Sequence, residues 1–372
     1  MNRIGITGQS GFIGTHLYNF LYIKKDEVTR VPFRDEYFSD EGRLEDFVSQ
    51  CDVIVHLAAL NRHNDPQAIY NTNILLIKKL ISACEKTGSK PHILFSSSIQ
   101  EERDNIFGQS KREGRELLIQ WTEKHNILFT GLIIPNVFGS FGQPYYNSVV
   151  ATFSHQLSHN EEPGIEVDAQ LKMIYVDELV QTIYNVIKSG FSSKAYYVPH
   201  TTEIKVTEIL AQLKEFKSLY YDQGIIPDLS DVFLRNLFNT FVCYMDIENH
   251  YPVKFKLHSD DRGTFVETMK LNSGGQVSFS TTKPGITRGN HFHTRKTERF
   301  AVIKGKALIQ IRRIGTEKLL EFVLDGSEPA FVDMPVWHTH NITNIGSDDL
   351  FTVFWINEFY DINDPDTFFE IV

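Results

Sequence analysis

Thr7-Gly8-Gln9-Ser10-Gly11-Phe12-Ile13-Gly14 follows a short apolar run over residues 3–7 and opens a stretch, 12–24, in which Ile13, Leu17, Phe20 and Leu21 recur at helical spacing. A strand that turns on glycines into a helix lets the backbone come close to a pyrophosphate. The helix N-terminus then supplies unpaired N–H groups and the positive end of its dipole. Outward from this turn the pattern repeats: CDVIVHLAA (51–59) predicts a buried strand, 68–86 a helix, 91–97 a strand, 108–125 a helix and 127–134 a strand. Apolar strands alternating with helices predict a Rossmann-type, doubly wound parallel sheet with right-handed crossovers.

From about Val253 the period changes to two. QVSFST, RFAVI, ALIQIRR, LEFVL and FTVFW, separated by Gly, Pro and Asp turns, predict an all-β domain reaching Val372. The expected fold class is therefore α/β plus all-β, divided into residues 1–248 and 249–372. A chain of 372 residues accommodates two such cores.

Composition excludes several functions. A formal charge of -10 spread along the chain lacks the basic stripe that a nucleic-acid surface needs. Cys51, Cys84 and Cys243 form no CxxC pair, which argues against a disulfide framework and a thiolate zinc site. No run approaches the ~18 apolar residues of a membrane span, and the N-terminus lacks a signal-peptide pattern, so a cytoplasmic protein is expected.

Several residues carry chemistry. The cofactor loop contributes Thr7, Gly8, Gly11, Phe12, Ile13 and Gly14. About twenty residues on, where an acid holds a ribose 2′-hydroxyl and a cation accommodates a 2′-phosphate, the chain has Arg34 followed by Asp35. Arg34 points to NADP(H); the plain reading is a solvated arginine. In the second half, His291 and His293 alternate by two along a strand and face one way, Glu298 arrives from the next strand, and all three have metal-ligand chemistry.

The GxxGxxG spacing, Asn73 after HLAA, and Ile134-Pro135-Asn136-Val137-Phe138-Gly139 resemble the extended short-chain dehydrogenase/reductases, which act largely on nucleotide-sugars. That resemblance implies a Ser–Tyr–Lys reductase centre, with Ser98 as the hydroxyl and Lys111 as the lysine that lowers the phenol's pKa and positions the ribose. The tyrosine position is Phe107, which has no exchangeable proton. An introduced Tyr-to-Phe change, a domain that has lost reduction, or a replacement donor at Tyr145, Tyr146 or Tyr175 would each account for it. Asn73, Asn136, Asn147 and Ser148 fall where the family contacts its nucleotide-sugar.

Residues 285–305, Gly285-x5-His291-x-His293-x4-Glu298-x6-Gly305, resemble the first cupin signature and imply a cupin (jelly-roll) barrel. In Pro335-Val336-Trp337-His338-Thr339-His340-Asn341-Ile342-Thr343-Asn344 a tryptophan stands where glycine is usual, and the resemblance implies His340 as fourth ligand, with His338 its local rival. Three imidazoles and a carboxylate suit Zn²⁺, other divalent metals being compatible with the same donors. Asp261-Arg262-Gly263-Thr264-Phe265-Val266-Glu267 and Thr287-Arg288-Gly289-Asn290-His291-Phe292 resemble nucleotide-sugar 3- and 3,5-epimerases, with Arg262, Glu267 and Arg288 at substrate-binding positions and His291 at the catalytic one. A histidine on a metal is not a free base, so these two analogies conflict at His291.

Taken together, the halves resemble the two-domain enzymes of capsule and O-antigen synthesis. The resemblance implies a UDP-4-keto-6-deoxy-amino-sugar substrate on the route to UDP-N-acetyl-L-fucosamine, C3 epimerisation in the barrel, C4 reduction with NADPH in the first domain, and a homodimer. A non-catalytic nucleotide-sugar-binding assembly or sensor protein, with a dead reductase and a structural metal, is the alternative.

Overall fold

A computed structural model describes Met1–Val372. It divides into two compact units, residues 1–149 with 169–205, and residues 150–168 with 206–372.

The first unit is built on β1 (Asn2–Thr7), α1 (Phe12–Ile23), β2 (Val28–Val31), α2 (Glu41–Gln50), β3 (Val53–His56), α3 (Pro66–Thr87), β4 (His92–Ser98), α4 (Ile106–His125) and β5 (Phe129–Ile134). These are followed by β6 (Asn136–Phe138), then, after helix α5 (Val149–Ser158), by β7 (Gln170–Tyr175), α6 (Val176–Ser189), β8 (Ser193–Tyr197) and β9 (Thr202–Lys205). Strand order β2-β1-β3-β4-β5-β8, parallel throughout, reverses direction between β1 and β3. That reversal puts the ligand crevice at the carboxyl ends of these two strands, beside the glycine loop.

Strand alternation fills both faces of this sheet. Ile4, Ile6, Leu94 and Leu132 pack with Leu17 and Leu21 of α1 and Val180 and Ile183 of α6 on one side. Ile54, Ile93 and Phe95 pack with Phe47, Ile77 and Leu118 on the other. The helices start and stop on local signals. Asp65 accepts from the Gln67 N–H just before Pro66, and α3 ends on Gly88 at φ +68°.

The second unit contains α7 (Val206–Phe216), β10 (Ile225–Ile226), α8 (Val232–Val242), β11 (Val253–Lys254), β12 (Leu257–Asp260), β13 (Gly263–Val266), β14 (Lys270–Leu271), β15 (Gln276–Thr282), β16 (Thr287–Phe292), β17 (Glu298–Lys304), β18 (Lys306–Arg313), β19 (Leu319–Asp325), β20 (Ala330–Met334), β21 (His338–Asn344), β22 (Leu350–Ile356) and β23 (Phe368–Phe369). Two five-stranded sheets, β11-β20-β17-β22-β15 and β19-β18-β21-β16-β23, pair antiparallel in jelly-roll fashion. No helix of the chain is long and apolar enough to cross a membrane.

By contacts, residues 206–248 group with the β-sheets, whereas the sequence reading set its boundary at 248/249. The reason is a buried polar network. Arg299 and Asp333, paired across β17 and β20, form a two-pronged ion pair with Nε–Oδ1 at 2.7 Å and Nη2–Oδ2 at 2.8 Å. Tyr220, in the π-helical turn after α7, donates to Asp333 at 2.5 Å, and Arg299 donates to the Gly224 carbonyl at 2.8 Å. From α8, Asn239 exchanges hydrogen bonds with Thr297 and Arg295. These segments cover the Arg299–Asp333 pair and satisfy the hydrogen-bonding atoms that the ion pair leaves over.

Candidate functional site

In the first unit, Gly8 sits at φ +69°, and a Cβ there would lie 2.8 Å from the Ala58 backbone. A Cβ on Gly14 would fall 2.2 Å from the Gly8 carbonyl oxygen. The turn is therefore too tight for side chains at either position. Gly11, the N-cap of α1, places no side chain over the helix end, so the first-turn N–H groups stay open to an anion. Thr7 is buried against the His56 Nδ1 at 2.7 Å, while Phe12 and Ile13 begin the helix. This cradle fits a dinucleotide pyrophosphate.

At the end of β2, Arg34 is exposed, and its neighbour Asp35 accepts a hydrogen bond from Ser10 of the glycine loop at 2.7 Å. The two residues at the ribose-reading position thus divide their tasks: Asp35 braces the loop and Arg34 faces solvent.

Ser98 closes β4, and its hydroxyl accepts from the Gln100 N–H at 3.2 Å. Phe107 and Lys111, one turn apart on α4, follow the Asn105 cap. Lys111 is buried, donates to the Ser96 carbonyl at 2.9 Å, and has its Nζ 5.6 Å from the centre of the Phe107 ring. Burial pulls its pKa down to about 8 against the opposing pull of Glu101. Glu101 itself is held by Arg115 at 2.7 Å, a buried pair that spacing did not disclose.

The expected sugar contacts separate. Asn73 is buried with its amide committed to both backbone groups of Leu60 and to the Ser110 hydroxyl, which makes it a brace for the loop after β3. Asn136 donates to the Lys172 carbonyl at 2.9 Å. Asn147 is exposed and Ser148 half-buried, on a loop whose Tyr145 and Tyr146 carbonyls are both held by Arg62. Tyr175 is buried at the start of α6.

In the second unit, His291, His293, Glu298 and His340 bring one ligand atom each to within 4.8 Å of the others. Glu298 is the hub. Its Oε2 lies 3.0 Å from the His340 Nε2, 3.4 Å from that of His293 and 3.9 Å from that of His291. Burial alone would raise the Glu298 pKa, but the three imidazoles more than reverse this and hold it well below the usual carboxylate range. His338, the local rival, bonds the Val336 carbonyl through Nδ1 and lies outside the cluster; burial takes its pKa down to about 4.

The donor set fits a metal. The Nδ1 atoms of His293 and His340 face the carbonyls of Asp366 and His338, and a carbonyl only accepts, so both Nδ1 atoms carry the proton. Each Nε2 points into the cluster, that of His340 lying 3.0 Å from the Glu298 carboxylate, and a bound cation would take both as lone-pair donors, the arrangement in which outer partners fix the tautomer of ligating histidines. Buried His293 Nε2 has no well-aligned hydrogen-bond partner in the protein.

Register explains how Arg288 joins this face. Arg288 pairs with Ile342 and His291 with His340, two positions apart on β21, although His291 lies three positions after Arg288. Asn290, at φ +58°, is the extra residue of a bulge that returns the strand to the same side. Gly289, at φ +102°, has no room for a Cβ, which would meet the His340 carbonyl at 2.8 Å. Arg262 and Glu267 are not brought to the cluster. The β12–β13 hairpin forms a sheet of its own, with Arg262 paired to Asp260 and 89% exposed, and Glu267 paired to Lys270.

Trp337 occupies the usual glycine position although the backbone there is left-handed, at φ +59°, where glycine would sit without strain. Stacking on Phe292 at 5.7 Å, and hydrogen bonds from its N–H to the His293 carbonyl and to its own carbonyl from the Ile314 N–H, hold it there.

Residues 4–198 match the NAD dependent epimerase/dehydratase family, and residues 258–368 match the polysaccharide biosynthesis C-terminal domain. The chain belongs to the NAD dependent epimerase/dehydratase family. It is 36% identical over 369 residues to UDP-2-acetamido-2,6-beta-L-arabino-hexul-4-ose reductase of Pseudomonas aeruginosa, covering 98% of each chain. The capsular polysaccharide assembling protein CapF of Staphylococcus aureus superposes over 100% of both chains, with 34% identity and a TM-score of 0.63. A Pseudomonas aeruginosa RMD complexed with NADPH shares the fold of 59% of this chain, and 83% of its own, at 20% identity and a TM-score of 0.53. These findings make the protein a nucleotide-sugar-modifying enzyme of polysaccharide biosynthesis, of the reductase/epimerase class, with a nicotinamide cofactor.

Proposed function

We propose that the protein acts on a UDP-4-keto-6-deoxy-N-acetylhexosamine on the route to UDP-N-acetyl-L-fucosamine, with C3 epimerisation in the β-sheet unit and C4 reduction in the parallel-sheet unit. The observation that carries this reading is the end-to-end match to a 4-ulose reductase, with both sites present in the one chain. NADPH, held at the glycine loop with Arg34 on its 2′-phosphate, would supply the hydride for C4. Lys111 and Ser98 would orient ribose and sugar. The C4 oxygen also needs a proton, and Phe107 has none to give.

In the cupin-like unit, His291, His293, Glu298 and His340 would hold Zn²⁺, which would supply a positive charge beside the substrate's carbonyl oxygen and so ease loss of the C3 proton of a 4-keto sugar. All four side chains would then be ligands, so the base would be another group. Arg288, exposed on the cluster's face, would meet the substrate diphosphate. The protein is expected to work in the cytoplasm, as a homodimer.

Phe107 specifically favours a second reading, a nucleotide-sugar-binding protein that has lost reduction. Proton NMR in D₂O separates the two. Exchange at C3 of the 4-keto sugar without NADPH supports the epimerase, and its absence from zinc-replete protein overturns that half. NADPH oxidation, followed at its near-ultraviolet band in the wild type and in Phe107→Tyr, tests the other half. No turnover in either protein with 4-keto sugars overturns the reductase.

A further inference from the structure

Well beyond the histidine strand Thr287–Phe292, at Phe368–Phe369, the chain returns and lies along it. Phe369 pairs with His291 and Phe368 with Phe292 on the edge of β16, and the Glu370 N–H donates to the Asn290 carbonyl at 3.0 Å. Arg312 donates to the Ile371 carbonyl at 2.7 Å, and Thr339 to that of Glu370 at 2.5 Å. This C-terminal strap is thus fixed to both β16 and the strands that flank the cluster.

At its start sits Asp366, 3% exposed and at φ +41°. Its carbonyl receives the His293 Nδ1–H. Its carboxylate accepts from the backbone N–H of Thr294 at 3.1 Å, of Arg295 at 3.0 Å and of Lys296 at 3.2 Å, and from the Thr294 hydroxyl at 2.7 Å. Lys296 Nζ donates to the neighbouring Pro365 carbonyl at 2.7 Å. One residue therefore grips the metal-ligand side chain with its backbone and the turn that follows that ligand with its side chain. A buried carboxylate bonded by successive N–H groups holds them in a fixed fan, because charge-assisted bonds are strong and directional.

Resting on the reading of the cluster as a metal centre, we propose that Asp366 is a positioning residue for that centre, locking the His293 tautomer and aiming its Nε2 through the C-terminal strap. A left-handed backbone suits Asp, Asn or Gly, whereas alanine adds strain to the loss of the carboxylate. Asp366→Gly removes the carboxylate without that strain, and Asp366→Asn keeps one acceptor oxygen. The exposed neighbour Asp364, which pairs only with Arg295, serves as the control.

The experiment uses the full chain, with Zn²⁺ affinity from chelator competition, the visible spectrum of bound Co²⁺, and the ¹⁵N shifts of His293 in metal-free protein. Wild type and Asp364→Ala are expected to bind Zn²⁺ alike and to show His293 protonated on Nδ1. Asp366→Gly is expected to bind 10–100-fold more weakly, with an altered Co²⁺ spectrum and a mixed tautomer, and Asp366→Asn to fall between. Wild-type affinity and tautomer in a folded Asp366→Gly overturn the positioning role alone. Should Asp366→Gly not fold, the same readouts on Asp366→Asn decide, unchanged affinity and tautomer again overturning it. A wild type that binds neither Zn²⁺ nor Co²⁺ overturns the metal reading and the positioning role with it.

Discussion

The glycine loop and the histidine–glutamate cluster are assembled in opposite ways. Most of what shapes the loop lies between Thr7 and Asp35, one strand–turn–helix and the end of the next strand, with His56 and Ala58 against it from the adjoining strand and its end. The cluster draws on β16, β17 and β21, and its His293 is held from residue 366. A local site survives as a sequence motif because spacing alone sets its geometry. A distributed one also depends on register, a bulge and a clamp, none of which has a spacing of its own.

The largest expected effect sharpens the contrast on the local side. Phe107→Tyr restores a proton donor one turn from Lys111, and NADPH-dependent reduction of a 4-keto sugar should rise by on the order of 10²–10⁴, about 3–5 kcal/mol of barrier. Initial rates with saturating NADPH check this.

The distributed side is tested by Asp333→Ala. This variant leaves Arg299 buried without its partner and unties the helices from β17, and should destabilise the second unit by about 3–5 kcal/mol. Urea unfolding followed by tryptophan fluorescence reports on it, since Trp337 and Trp355 lie in that unit and only Trp121 in the other. An unchanged midpoint would mean that the network is not what binds 206–248 to the sheets.

Cofactor choice comes next. Arg34→Ser should weaken NADPH by roughly 1.5–3 kcal/mol and leave NADH nearly unchanged, as measured by fluorescence titration, because only NADPH carries the 2′-phosphate. Equal losses for both cofactors would remove Arg34 from that role.

The smallest effect is one of pH. Lys111 carries its charge below about 8 and loses it as pH rises. Cofactor affinity should therefore fall modestly between pH 7 and 9, and Lys111→Met should flatten the profile. Stability should move the other way. The unfolded chain, with an ordinary lysine, binds more protons between about 8 and 10.5, so this residue's contribution to unfolding free energy rises with pH in that window. Loops of opposite slope, absent in Lys111→Met, would identify the group.

Most of the strands and helices near the first site were legible because apolar periodicity and glycine punctuation are local: the helix expected over 108–125 is Ile106–His125, and the strand expected over 127–134 is Phe129–Ile134. The spacing that brings His291, His293 and Glu298 together was legible for the same reason. Asp366 was not, since nothing in Asn363-Asp364-Pro365-Asp366-Thr367 marks one acid among several as buried. Nor was the bulge at Asn290, whose effect on Arg288 appears only once the pairing with Ile342 is known. Arg262 and Glu267 illustrate the converse, a motif whose residues lie on a separate exposed hairpin. Trp337 looked like decay of a motif, yet its φ shows that the backbone requirement behind the usual glycine is still met.

The chain's passage between its two units has a consequence for how it is made. Residues 150–168 belong with 206–372, and residues 169–205 belong with 1–149, so the polypeptide changes unit three times. During synthesis, α6 and β8 must emerge before the parallel sheet can close, and until then the segment 150–168 waits for partners not yet translated. Such long-range pairing is slow and leaves apolar surface uncovered in the interval. Cutting the gene at any single codon therefore cannot yield both units whole, and their history as a fused pair is written into the order in which the ribosome releases them.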